Sequence, residues 1–252
     1  MGGQAGLDIF SIGAGQIVLL AVTAFAASTV AGVTGFGGAA ILLPVLVAIF
    51  GVRDAIPILT VAQLIGNGSR VWFNRQQVVL PVVGWFSLGA VPLALLGGFL
   101  FAKAPLPLLT HLVGVFLLLT VVWRHLRRKP SYRPTLHSFV IIGAGFSFLS
   151  ALVGSVGPIL APFFLAYGLM RGAYIGTEAL ATVVMHVTKL VAYGGSAALT
   201  TKAAAVGLAL GPLMMAGSYT GKRILERLPE RFFIVLIEAV LIIAGLTLLV
   251  TG

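Results

Sequence analysis

Long apolar stretches alternate with short polar joints along this chain, near 9–34, 38–50, 55–73, 79–102, 105–123, 137–155, 158–169, 174–194, 198–220 and 231–250. A helix that crosses a bilayer needs about 20 apolar residues, and most of these stretches qualify. The pieces at 38–50 and 158–169 are too short, and each directly follows a glycine-rich interruption. The first interruption is Thr34-Gly35-Phe36-Gly37-Gly38, closing on Pro44; the second is Gly154-Ser155-Val156-Gly157-Pro158, closing on Pro162. A helix broken at membrane depth leaves backbone groups that lipid cannot satisfy, so the break must face protein or a watery cavity. Broken segments at corresponding places in two halves point to the binding site of a transporter.

Composition turns this pattern into a class. The 252 residues are 59% hydrophobic and 9% charged, against roughly 25% charged in a soluble domain. The reading is an all-α polytopic membrane protein. Sixteen Lys and Arg against six acids give a net charge of +10, which in a soluble protein would suggest nucleic acid. Here the basic residues flank apolar segments and read as topogenic charge. The expected partners are therefore the bilayer and a small anion, with no nucleic acid. There is no cysteine, no phosphate-binding GxxxxGK[ST] loop, no HExxH and no G-x-S-x-G. Neither a cofactor nor a metal nor enzymatic activity is expected. Met1 to Asp8 lacks a basic n-region, so no cleaved signal peptide is read.

Charge also sets the count and orientation of segments. Two counts compete: eight crossings if each broken stretch spans once, ten segments if each forms a hairpin returning to its own side. With ten, twelve Lys and Arg fall on one face, at Arg70–Arg75, Arg124–Arg133, Arg171 and Lys222–Arg231, and only Arg53, Lys103 and Lys202 on the other; Lys189 lies within a segment and is not counted. With eight, they spread almost evenly. The positive-inside rule favours ten, with both termini outside and the basic connector at 124–136 inside. Residues 1–123 and 137–252 then form two transmembrane repeats. Five segments per half is odd, so the second repeat enters from the opposite face, an inverted topology. Landmarks repeat at one spacing: Gly37 and Gly157 at 120 positions, Pro92 and Gly97 with Pro212 and Gly217 at 120, Asn67–Arg70 and His186–Lys189 at 119.

The candidate chemistry follows from the repeat. Gly37, Gly38 and Gly157 precede short helices whose N-termini would present unpaired N–H groups, which bind anions. Asn67 and Arg70, three apart, share a helix face, as do His186 and Lys189. A cation within an apolar segment normally faces a cavity or a partner. Gln63 and Thr182 extend these stripes by a turn, and Ser69 and Thr188 sit beside them; these four are secondary candidates. Glu178 is an acid inside the apolar segment at 174–194. It is either a proton-coupling group, with His186 as a second, or an ion-pair partner for Lys or Arg near the start of its helix. The competing reading of the glycines is close helix packing through small residues.

The Gly-rich break followed by proline, present twice, the Pro-x4-Gly segments, and the ends Gly221-Lys-Arg-Ile-Leu-Glu-Arg-Leu-Pro229 and Leu106-Pro107-Leu-Leu resemble the TauE/SafE family of sulfite exporters. The resemblance covers essentially the whole chain. It implies a multi-pass protein of the bacterial inner membrane that moves small sulfur-containing anions such as sulfite, sulfoacetate or other organosulfonates. The chain departs from the family's fuller triple glycine, with Gly37-Gly38-Ala39 in one copy and Gly157-Pro158 in the other. The expected function is a secondary transporter working by alternating access. The alternatives are an anion channel, or a membrane scaffold or enzyme whose glycines serve packing alone.

Overall fold

The computed structural model describes residues 12–126 and 133–224. They form eight α-helices and no strand: α1 (Ala14–Thr34), α2 (Gly38–Asn74), α3 (Leu80–Lys103), α4 (Leu106–Leu126), α5 (Ser138–Val153), α6 (Gly157–Ala166), α7 (Arg171–Gly195) and α8 (Thr201–Ile224). Five of them, α1, α2, α3, α7 and α8, are long and apolar enough to cross a membrane. Apolar side chains such as Val18, Val22, Leu88 and Leu208 are exposed on their outer faces, as lipid contact requires. The apolar stretch at 231–250, the Gly221–Pro229 motif beyond Ile224 and part of the basic connector lie outside the described residues.

Both short pieces are present. The 37 residues of α2 are divided at Gly51, whose φ of 74° and ψ of 164° are not helical. The first part matches the short stretch at 38–50. In the second half, α6 has 10 residues, and Gly168, at φ 106°, lies in the turn before α7. Nine of the ten apolar stretches thus appear as separate helical pieces among the described residues.

The two sequence halves interlace. Helix α1 packs along α8, and α2 lies between α8 and α7; α3 packs along α5 and α7. Each of α3 and α8 therefore leaves its own half to pack against the first helix of the other. Small residues make these contacts possible, because a hydrophobic driving force is missing in lipid and close backbone approach replaces it. A Cβ on Gly89 would stand 1.9 Å from the carbonyl oxygen of Val140, one on Gly143 2.1 Å from that of Phe86, and one on Gly221 2.2 Å from that of Thr29. For these glycines packing is a sufficient explanation.

Candidate functional site

The breaks are built from helix ends. Helix α1 stops at Gly35, with φ 80° and its N–H donated to Ala31 O; α5 stops at Gly154, with φ 85° and its N–H donated to Ser150 O. Both have positive φ, which glycine adopts without penalty, and Gly35 has the left-handed conformation that commonly ends helices. Thr34 Oγ1 donates to Val30 O at 3.0 Å and accepts from the N–H of Phe36 at 3.3 Å, fixing the exit from α1. The chain then restarts almost at once, at Gly38 in the first half and Gly157 in the second. The two breaks touch. A Cβ on Gly157 would lie 3.5 Å from Phe36 Cβ and 3.9 Å from Gly37 N.

Four helix ends therefore meet, two of each polarity. The C-terminal ends carry unpaired carbonyls and the negative pole of the helix dipole, and a cation is laid on each. Arg70 Nη1 donates to Gly35 O at 2.5 Å and to Ala31 O at 3.3 Å. Lys189 Nζ donates to Ser150 Oγ at 3.1 Å and to Gly154 O at 3.5 Å. In both halves the sequence separations are 35 and 39. A cation is costly in the apolar interior; here the helix carbonyls supply its partners. Around the two breaks the structural equivalence runs at 119 positions, pairing Ala31 with Ser150, Gly35 with Gly154, Gly38 with Gly157 and Arg70 with Lys189. The pairing of Gly37 with Gly157 at 120 is thus displaced by one residue.

The N-terminal ends remain open. In α2 the first amide bonded within the helix is that of Ile41, to Gly37 O, which leaves the amides of the preceding turn pointing out of the helix end. In α6 Pro158 has no N–H and Ile159 N donates to Val156 O, so Gly157 supplies the amide. Between these ends lies a cavity of about 40 Å³, lined among others by Gly35, Phe36, Gly37, Gly38, Gln63, Asn67, Arg70, Ser150, Gly154, Ser155, Gly157, Glu178, Thr182 and His186. One water needs about 10–15 Å³ on this scale, so the space admits a group of a few heavy atoms.

The lining is polar and incompletely paired. Gln63 Nε2, Glu178 Oε2 and His186 Nδ1 are buried without a hydrogen-bond partner among the described residues, although their residues are only 4%, 2% and 5% exposed. Buried polar atoms are normally satisfied. Three orphans around one cavity are the mark of a place where something polar sits. Glu178 Oε2 lies 3.7 Å from Arg70 Nη1, and Arg70 Nη2 donates to Asn67 Oδ1. The partner of Glu178 thus comes from the other half of the chain, whereas the sequence pointed to a cation near the start of its own helix.

The cavity brings together Gly37, Gly38, Gln63, Asn67, Arg70, Gly157, Glu178, Thr182 and His186. It does not include Lys189, Ser69 or Thr188. Lys189 is 0% exposed and spends its donors on the end of α5. Ser69 donates to Ile65 O at 2.9 Å and Thr188 to Val184 O at 2.8 Å, each within its own helix. Phe36, Ser150, Ser155 and Met185 also line the space and were not singled out as ligands. For Ser150 the signal was available: it occupies the position 119 after Ala31, four residues before the glycine that ends its helix.

Five apolar spans, two broken helices meeting end to end and a small buried polar cavity between them define a polytopic membrane protein of the transporter type. The chain belongs to the sulfite exporter TauE/SafE family, whose model matches residues 20–248. That family consists of membrane transporters, not enzymes. No curated protein and no solved structure gives a significant match.

Proposed function

We propose that the protein is a secondary transporter that exports a small sulfur-containing anion, such as sulfite, sulfoacetate or another organosulfonate, across the bacterial inner membrane by alternating access. The observation that carries this reading is the cavity between the two breaks, where two helix N-termini converge with three side chains that each have a polar atom lacking a hydrogen bond. An oxyanion offers acceptors in every direction, and the amides of Gly38 and Gly157, the guanidinium of Arg70, and the side chains of Asn67, Gln63 and His186 are the matching donors. Thr182 contributes a secondary contact, and Lys189, Ser69 and Thr188 act from behind the lining.

The cavity is far smaller than the roughly 300–1,000 Å³ of a drug-sized site, which suits a sulfite ion or a single sulfonate headgroup. Repeats 1–123 and 137–252 in inverted topology account for the matched hydrogen bonds of Arg70 and Lys189. Because α3 and α8 exchange halves, the moving units are α1–α2–α8 and α3–α5–α7 rather than the two sequence halves, and they rock about the contact of α2 with α7. Both termini are assigned to the periplasmic side by the charge asymmetry.

The packing-only reading fits Gly89, Gly143 and Gly221, but it leaves the orphaned Gln63, Glu178 and His186 without a purpose. The test is sulfite flux in proteoliposomes. A carrier shows trans-acceleration of labelled sulfite by unlabelled sulfite on the far side; a linear, non-accelerated flux identifies a channel, and absence of flux with every sulfur oxyanion ends the proposal.

A further inference from the structure

Glu178 is out of place in a site for anions. Every other orphan in the cavity can serve as a donor: the Gln63 amide donates, and the His186 ring nitrogen does so in one tautomer. An ionised carboxylate only accepts, and Oε2 of Glu178 has no donor within hydrogen-bond reach. It stands 3.7 Å from Arg70 Nη1, the cation that an incoming anion would seek. Carboxylate and anion would then compete for one guanidinium inside a buried space, where like charges repel strongly. The repeat makes the intrusion one-sided, because the residue 119 positions earlier is Leu59.

A single proton resolves the conflict. It removes the negative charge beside Arg70 and turns the orphaned acceptor into an O–H donor aimed into the cavity. Resting on the anion-carrier reading above, we infer that the anion binds together with one proton held on Glu178, so that this side chain changes from a tethered competitor for Arg70 into a ligand of the anion. The other ionisable groups around it are accounted for: Arg70 faces it from α2 and is committed to the end of α1, Lys189 lies behind the lining at the end of α5, and Tyr174 and His186 share its own helix, while α1 and α6 add no titratable side chain to the lining. The bound proton makes transport of the anion proton-coupled.

The test counts protons directly. Purified full-length protein is titrated with sulfite, sulfate and methanesulfonate by calorimetry in buffers of differing ionisation heat; the charges of the last two are fixed near neutral pH. The expected result for the wild type is uptake of one proton per anion and an affinity that weakens about tenfold per pH unit where Glu178 is ionised before binding. In E178Q, uptake is abolished and affinity becomes flat with pH, while H186Q keeps the uptake. Binding by the wild type without proton uptake overturns the inference and leaves the carrier reading intact. Uptake that persists in E178Q and vanishes in H186Q also overturns it, by moving the proton to His186. Failure of the wild type to bind any of the three anions removes both. Should E178Q not fold, H186Q decides: uptake of one proton per anion kept in H186Q is the expected result, and uptake lost there overturns the inference.

Discussion

Arg70 and Lys189 do the same job at equivalent places, yet they differ in everything beyond it. Each closes the C-terminal end of the helix before a break, at sequence separations of 35 and 39. Lysine is a compact charge and is used up by Ser150 and Gly154. Arginine has five donors on a planar fork, so after capping α1 it still reaches Asn67, lies beside Glu178 and borders the cavity. Matching hydrogen bonds in the two halves can therefore coexist with polar chemistry concentrated on one side. The second half supplies a buried prop, the first half a prop that also borders the cavity.

The largest effect that separates them is loss of the cation. Arg70→Met leaves Glu178 buried without its counter-charge, and removing one partner of a buried pair costs about 3–5 kcal/mol. Lys189→Met strands a carbonyl and a hydroxyl but no acid, for about 1–3 kcal/mol. Denaturation midpoints of the purified proteins in mixed micelles give the ranking. The sharper check is a second substitution. Glu178→Gln recovers part of the stability lost in Arg70→Met, since it removes the unpaired charge, and recovers nothing in Lys189→Met; equal recovery in both would dissolve the distinction. In flux assays Arg70→Met raises KM for sulfite at least tenfold and by more than Lys189→Met does.

The second contrast lies in the glycines that end α1 and α5. Both have positive φ, so alanine at either position incurs about 1–2 kcal/mol of backbone strain. Their surroundings differ: a Cβ on Gly35 would stand 2.4 Å from the Tyr174 ring, whereas on Gly154 the nearest atom is a side-chain carbon of Ile56 at 3.3 Å. Overpacking adds about 1–3 kcal/mol to Gly35→Ala and little to Gly154→Ala. The expected melting temperature is lower for Gly35→Ala, and Tyr174→Phe does not relieve it, because the ring edge itself is in the way.

Much of this was legible in the residues. Segment lengths and Gly/Pro breaks gave the short helices, since an apolar run of fewer than about 20 residues after a glycine cannot span a bilayer alone. The spacing of 119 between Asn67–Arg70 and His186–Lys189 carried through to the hydrogen bonds. Other features depended on distances that spacing does not encode. Nothing in the pattern told that Lys189 turns away from the cavity to cap α5, or that Glu178 meets a cation from the other half. The match of Gly97 with Gly217 at 120 was also misleading. Gly97 packs on Phe148 and Ala151, and Gly221 on the counterparts Thr29 and Gly32, while Gly217 packs on Phe25 and Ser28. The equivalent of Gly97 by contact is Gly221, one helical turn further on.

The smallest and most discriminating change is Ser150→Ala. The first half has Ala31 at this place, and Arg70 there makes do with its backbone carbonyl. In the second half the hydroxyl is the nearer of the two partners of Lys189, at 3.1 Å against 3.5 Å for Gly154 O. Removing it makes the second half chemically like the first, but without the reach of a guanidinium to compensate. A hydrogen bond of this kind contributes about 0.5–1.5 kcal/mol, and Ser150→Ala is expected to lose that much stability while KM for sulfite shifts less than threefold. Because Ser150 also borders the cavity, the opposite outcome is informative. Unchanged stability with a KM raised tenfold would make the hydroxyl a donor to the anion rather than a rest for Lys189, and the second half would then hold a ligand after all.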